Sequence, residues 1–373
     1  MDSGSVVTPP YTAGPLTLEP FRALTLAPHR IGDPASARTF ARPYREVPAR
    51  LARWEAQRQL RREPEPAVYL HEYTAGGITV RGLVGLVDLT RRAGRLEERA
   101  IFPHEGIYPD QADDLAARLE LMRINPAPIL LVHRAEDDLR SLVQQVAAGR
   151  PAHRYRDRGG QQHRVWTVTD PGTLAALRSG LATARALIAD GHHRYAAYLR
   201  LQQRDPGGPC DRGLAMLVDH GDTPLFLGAI HRVLSGSSLD DVETAARSLG
   251  LPVTVLAEQQ AIAALAPRRL VATDTDRWMV LGLPDDDAAA VEVLHHRLVP
   301  ALPHGPRRTT YHHSVTQALA HTGPDLGTAV LLPAPDVDHV LRIVAEDRLL
   351  PEKATSFQPK PSLGTFIRPW DDG

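Results

Sequence analysis

The stretch RALIADGHHRYAAYL, Arg185 to Leu199, can fold in few ways: an apolar run passes through one glycine straight into a segment with helical spacing. The spacing predicts a strand, a tight turn and a helix, with Tyr195, Leu199 and the neighbouring alanines as its buried stripe. Asp190 is the expected N-cap, and Gly191 leaves room for a ligand against the backbone. Such a turn presents backbone N–H groups and the positive end of the helix dipole, which suits an anion. His192, His193 and Arg194 fall in the first turn. Successive helical positions point about 100° apart, so the two histidines do not share a face and a metal pair made from them alone is disfavoured. Two readings stay open from the residues. Either one histidine and Arg194 serve an anionic ligand, with Asp190 orienting a histidine or holding a cation, or a capped helix packs around a histidine.

Elsewhere short strands and helices alternate without a clean βαβ repeat or any internal repeat, which points to an α+β fold. AVYLHEYTAGGITVRGLVGLVDL reads as a hairpin around Gly76-Gly77. QADDLAARLELMRIN, EDDLRSLVQQVAAG and PGTLAALRSGLAT read as helices, the last opened by Pro171; PAPILLVHR, HRVWTVTD and RALIAD read as strands. PARLARWEAQRQLRRE reads as one helix stopped by Pro64 and Pro66. In the C-terminal half, LAMLVDH and PLFLGAIHRVL are expected to pair as strands, and AAAVEVLHHRLVPAL to form a helix with a structural LHHRL segment. Three segments are expected: an N-terminal α+β lobe over 1–96, a central module over 97–205 and a C-terminal α+β lobe over 206–373.

Composition narrows the function classes. With 373 residues, 43% hydrophobic and 23% charged, the chain is long enough for more than one compact core. The net charge of -1 argues against a general nucleic-acid binder, which carries a basic face. Cys210 is the single cysteine, so neither an intrachain disulfide nor a cysteine-built zinc site forms, in keeping with a reducing compartment. MDSGSVVTPP shows no leader pattern, and no run reaches the roughly 18 apolar residues of a membrane span. A cytoplasmic protein with small-molecule partners, without nucleic acid or membrane, is the expectation; the sequence leaves the oligomeric state open.

Of 43 basic residues, 41 are arginine and only Lys353 and Lys360 are lysine, both within PEKATSFQPKP. A lysine is a compact, strongly hydrated point charge that the planar guanidinium does not replace. In an arginine-biased chain, two surviving lysines mark a candidate phosphate or carboxylate contact. A second candidate is FPHEGIYPD, where Glu105 follows His104 in a loop after a strand, a place from which a carboxylate serves as general base.

PHE ahead of a helix, then PAPILLV, then LIADGHHRYAA resembles the ParB/sulfiredoxin superfamily, in particular the free serine kinases, over roughly Glu97 to Gln203. The chain as a whole resembles the uncharacterised family known as domain of unknown function 1015, through EPFRAL, His104-Glu105, ADGHHRYAA, His231-Arg232, YHHS and EKATSFQPKPSLG. The resemblance implies a ParB/sulfiredoxin-like central α/β module between two α+β lobes. It implies a kinase in which Glu105 takes the proton of the serine hydroxyl. Asp190, Gly191, His192, His193 and Arg194 then match the nucleotide-phosphate loop, in which Asp190, His192 and His193 would be catalytic, histidine and arginine neutralising charge on the transferred phosphoryl group, and Asp190 would be the candidate Mg²⁺ contact. Phosphoryl transfer asks mainly for positioning and charge stabilisation, so this set suffices without a Walker A motif, which the chain lacks. Lys353 and Lys360 would join Gly191 and Arg194 at the phosphates, while His104, His231, Arg232 and His313 would face the substrate.

The expected activity is therefore transfer of a phosphoryl group from ATP or ADP, with Mg²⁺, to free serine or a serine-like amino acid. The alternative is a ParB-type nucleotide-binding regulatory module or slow NTPase, and a third reading is a silent scaffold. The chain departs from the family pattern in RPYRE, Arg42 to Glu46, where PPYD is usual. It departs also at Ile107, where a threonine is common nearby, and at Ala354, in place of the serine of the KST tail. Sulfinic reductase chemistry is excluded, because Asp190-Gly191-His192 offers no thiol.

Overall fold

The computed structural model describes residues 6–372; residues 1–5, the start of MDSGSVVTPP, and residue 373 lie outside the described residues. The fold is α+β, and the chain gathers into two compact units. Unit 1 runs up to Leu225 and resumes at Pro359; unit 2 is Phe226–Gln358.

Unit 1 is built on a mixed nine-stranded sheet. Its strands are β1 (Thr12–Ala13), β4 (Val68–Ala75), β5 (Ile78–Asp88), β6 (Arg99–Phe102), β8 (Ile129–His133), β9 (His153–Arg156), β10 (Gln162–Val168), β11 (Ala186–Asp190) and β12 (Arg212–Asp219). They lie in the order β1-β6-β11-β8-β12-β5-β4-β10-β9. Two short pairings flank the sheet: β2 (Leu24–Leu26) with β3 (Leu60–Arg62), and β7 (Ile124–Asn125) with the C-terminal β21 (Arg368–Pro369). The helices are α1 (Val47–Ala56), α2 (Pro109–Met122), α3 (Asp137–Ala148), α4 (Pro171–Leu181) and α5 (His192–Arg204). The central strands read as unbroken apolar runs because both faces are covered: Ile129, Leu131, Ile188, Ala215 and Leu217 sit in one core with Leu119, Tyr195 and Leu199 from α2 and α5.

Unit 2 holds a six-stranded sheet in the order β15-β17-β16-β19-β14-β18. Its members are β14 (His231–Ser235), β15 (Val253–Leu256), β16 (Arg269–Thr273), β17 (Trp278–Gly282), β18 (Arg308–His312) and β19 (Gly327–Leu331). A separate pair joins β13 (Phe226–Gly228) to β20 (Ser356–Gln358). The helices are α6 (Leu239–Ser248), α7 (Glu258–Ala263), α8 (Ala290–Val293), α9 (Val315–Leu319) and α10 (Val337–Ala345). As the serine and aspartate at its start imply, α6 opens on a capping box between Ser238 and Asp241.

Four expectations are corrected. Segments 1–96 and 97–205 do not separate: β4 and β5 pair into the same sheet as β8 and β11, through β12, while the chain after Pro359 returns to unit 1. LAMLVDH and PLFLGAIHRVL do not pair, because both edges of β12 are already taken by β5 and β8. The helix from Pro48 stops at Ala56, and Leu60–Arg62 turns back as β3 against β2. LHHRL leaves the α-helix as a π turn over Leu294–Leu298.

Candidate functional site

The parallel pairing of β6 with β11, Ala186 opposite Ile101 and Leu187 opposite Phe102, brings both C-terminal strand ends to one edge. The loop Pro103-His104-Glu105 therefore leaves the sheet beside the turn at Asp190, although the two lie 85 residues apart in sequence. Parallel strands place their carboxyl ends together, which is where open α/β sheets collect ligands.

The turn itself depends on Gly191. It is the N-cap of α5 and holds φ +98°, a conformation that side chains rarely adopt. A Cβ there would also meet the Arg194 guanidinium at 2.9–3.1 Å. Asp190 is not the cap. Its carboxylate accepts instead from Arg194 Nη2 at 2.5 Å and from Lys360 Nζ, charge-assisted bonds that outweigh a cap interaction. Burial works to raise the Asp190 carboxyl, yet Arg194 and Lys360 together hold it below its ordinary value. Arg194 Nη1 donates to the carbonyls of Ala127, 3.2 Å, and Pro128, 2.5 Å, so the side chain ties the start of β8 to the turn.

The two histidines do different work from that expected. The backbone N–H of His104 donates to His192 Nε2 at 3.4 Å, and that of Tyr108 donates to His193 Nε2 at 3.2 Å. The pair thus clamps the PHE loop at two points four residues apart. His192 is buried, and burial first, then the neighbouring His104, push its pKa down to about 3. It is a neutral acceptor at physiological pH, and positive charge at the junction comes from Arg194 and Lys360. The His104 and His192 rings meet edge to face at 4.6 Å. His104 Nε2 lies 3.4 Å from Glu105 Oε1, and the Glu105 side chain keeps 14% exposure.

Lys360 arrives at Asp190 because its segment is held by unit 1: Tyr73 Oη donates to the Pro359 carbonyl at 2.7 Å and Gln161 Nε2 to the Lys360 carbonyl at 3.0 Å. A cavity of about 100 Å³ lies here, with Asp190, Arg194, Lys360, His71 and Thr365 in its wall. As a direct Mg²⁺ contact Asp190 does not fit, since its two oxygens take Lys360 and Arg194, and no trio of His, Cys, Asp or Glu able to hold a metal occurs among the described residues.

The other nominated residues belong to unit 2. Lys353 is exposed there. His231 Nδ1 accepts from the Leu332 N–H at 3.2 Å, and His313 is exposed after β18. Arg232 is wholly buried, contrary to a substrate contact: it donates to His295 Nε2 at 3.1 Å and to the carbonyls of Ile230, Glu352 and Lys353. The π turn at Leu294–Leu298 carries His295 into that cluster. Ile107 is buried with Ala112 and Ala196, so its departure from the family pattern is a packing feature. Nothing in the sequence marks the buried His71 and His163, which look like outward positions of half-buried strands, or Asp157 in the turn between β9 and β10.

Fold and site together define an α+β protein with a cationic cavity and a loop carboxylate at paired strand ends. The chain belongs to the family of proteins of unknown function DUF1015, whose profile matches residues 6–294. It is similar in structure to a conserved hypothetical protein from Pyrococcus furiosus, at 16% identity and a TM-score of 0.40, covering 77% of this chain and 96% of that one. It is similar also to a free serine kinase in complex with AMP, at 15% identity and a TM-score of 0.41, covering 76% and 91%. A third neighbour is C-terminally truncated SbnI from Staphylococcus aureus, at 14% identity and a TM-score of 0.43, covering 76% and 87%. No curated protein matches the chain. Among the described residues no helix is long and apolar enough to cross a membrane.

Proposed function

We propose that the protein is a nucleotide-dependent small-molecule kinase that phosphorylates the hydroxyl of free serine or a serine-like amino acid. The observation that carries the reading is the parallel β6–β11 pairing, which sets Glu105 beside the Asp190–Arg194 turn, with His192 and His193 holding the two loops together. It gives a spatial basis to the PHE and DGHHR motifs on which the resemblance to free serine kinases rests.

In this reading the acceptor hydroxyl attacks the terminal phosphorus of ATP or ADP. A new O–P bond forms, the P–O bond to the departing nucleotide breaks with its electron pair going to that nucleotide, and Glu105 takes the hydroxyl proton. His104, 3.4 Å away, orients the carboxylate. Arg194 and Lys360 answer the negative charge of the phosphates, and the electrostatic and positional demands of phosphoryl transfer need little more from the protein. Lys353 and His313 have no assigned step, and no step is routed through Mg²⁺. Phosphorus-31 spectra of the protein with L-serine and ATP or ADP test the reading. Phosphoserine should form and should vanish with Glu105→Gln. Nucleotide binding without turnover from either donor, unaffected by that change, refutes the kinase and favours a regulatory module.

A further inference from the structure

Unit 2 holds a larger cavity, of about 460 Å³, which the proposed kinase chemistry does not use. Two stretches of short side chains leave room for it: Ala288-Ala289-Ala290 at the start of α8, and Pro333-Ala334-Pro335 between β19 and α10. The three alanines and both prolines are half-buried, so an entering molecule meets their surfaces directly. Ile230, Val340, Ile343 and Leu350 are buried and close the floor. Ala354 joins them where the family pattern has serine, so this chain adds a methyl group there in place of a hydroxyl. Such walls and floor receive the apolar body of a small molecule.

The rim carries charges of both signs. Arg342 on α10 and Asp287 ahead of α8 are exposed there, and among the described residues neither side chain has a hydrogen bond or an ion pair. The other charged groups at the rim are engaged. Arg268 Nη1 donates to the Pro284 carbonyl at 2.7 Å and its Nη2 lies 3.3 Å from Asp285; Asp336 Oδ1 accepts from the His339 N–H at 3.0 Å, and Asp338 has a partner as well. His339 relates the two unengaged charges. Its Nε2 lies 3.1 Å from the Asp287 carbonyl, which only accepts, so Nε2 carries the proton and Nδ1 of the neutral ring keeps a lone pair. Arg342 follows His339 by three residues on α10, which sets the two side chains next to each other on one helix face.

We propose that this cavity binds a free α-amino acid with a large apolar side chain. Its carboxylate pairs with Arg342, its ammonium donates to the Asp287 carboxylate and to His339 Nδ1, and its side chain lies between the alanine and proline walls. A guanidinium holds a carboxylate through two parallel bonds, and the nearby acceptors answer the ammonium. An apolar acid leaves Asp287 unanswered, and an apolar amine leaves Arg342 so. Serine, the acceptor in the kinase reading, has no apolar body to fill the space. The site goes beyond that reading and involves neither Glu105 nor turnover.

Calorimetry on the full chain with L-phenylalanine tests this, with hydrocinnamate and phenethylamine as the analogues that each keep one of its charges. L-Phenylalanine should bind, and both analogues and L-serine should bind at least about tenfold more weakly. Arg342→Gln should weaken L-phenylalanine and hydrocinnamate and leave phenethylamine unchanged; Asp287→Asn should weaken L-phenylalanine and phenethylamine and leave hydrocinnamate unchanged. Both side chains are exposed, so the fold survives either change. Methyl spectra of the wild-type protein give a second readout: the signals of Ala288, Ala289 and Ala290 should move with L-phenylalanine and stay put with L-serine. No binding of L-phenylalanine, equal affinity for the analogues, or affinities indifferent to both substitutions overturns the proposal. Glu105→Gln separates it from the kinase reading, since that variant should keep its affinity for L-phenylalanine while losing phosphoserine formation. If the wild-type protein makes no phosphoserine yet binds L-phenylalanine in this pattern, the kinase reading falls and the amino-acid site stands.

Discussion

Two arginines each follow a histidine at a strand boundary, Arg194 in DGHHR and Arg232 in AIHRV, and they do opposite things. Arg194 opens a helix after a glycine, keeps 21% of its side chain exposed and shares a carboxylate with a lysine at a cavity wall. Arg232 lies inside a six-stranded sheet, fully buried, and staples a turn and a loop to β14 through carbonyls. The dipeptide does not separate a site from a staple; the glycine before it and the burial around it do. A cation that must meet a ligand needs an access route and a partner it can share, whereas a buried one needs every donor answered from within.

Removing each guanidinium is the strongest way to break this contrast. Arg232→Met should destabilise unit 2 by about 3–5 kcal/mol, because buried carbonyls and His295 lose their donor. Urea unfolding followed at Trp278, the one tryptophan of that unit, reads the loss. Arg194→Met should cost less stability and instead weaken phosphate and nucleotide binding. If the two variants lose stability equally and binding is untouched in Arg194→Met, Arg194 is a second staple and the contrast fails.

Gly191→Ala is the next test by size. The left-handed backbone costs an ordinary residue about 1–2 kcal/mol, and relief of the Cβ contact with Arg194 requires the guanidinium to move. Thermal unfolding should register the strain, and phosphate affinity should fall with it. A variant with unchanged stability would mean that the turn tolerates other conformations and does not hold Arg194.

These contrasts also show what the sequence makes legible. The strand, turn and helix at Arg185–Leu199 follow from local chemistry, as do the β4–β5 hairpin at Gly76-Gly77 and the capping box of α6. Lysine scarcity found Lys360, which reaches Asp190, but it marked Lys353 equally, and that residue belongs to unit 2. Composition reports that a residue type was retained, not where the chain carries it. The nearness of Glu105 to Asp190 depends on a parallel pairing that no local pattern encodes, so only the resemblance to a family suggested it. The hydrogen bond between His71 and His163 was hidden for the same reason: it forms across strands whose partners lie 92 residues apart. The return of the chain at Pro359 likewise left no mark in composition, and that return defines the two units.

The smallest expected effect concerns Lys360, whose pairing with Asp190 sits at a half-exposed side chain. Lys360→Met should lower stability by less than about 1 kcal/mol, since partly solvated ion pairs contribute little. Its signature lies in acid. Asp190 titrates below its ordinary value of 3.8 in the folded protein, so it contributes stability that is present above that value and lost as pH falls through the lower, folded value. Without Lys360 one of its two cations is gone and the folded value rises, so less stability remains to be lost below about pH 4. Carbon-13 titration of the Asp190 carboxyl, with unfolding measured down to acid, reads both quantities. Lys360→Arg sharpens the point: a guanidinium restores the charge and hence the titration, but not the compact donor. Phosphate affinity should therefore stay reduced in Lys360→Arg while the Asp190 titration recovers. If both recover together, charge alone matters at this position, and the retention of a lysine in so arginine-rich a chain loses its functional meaning.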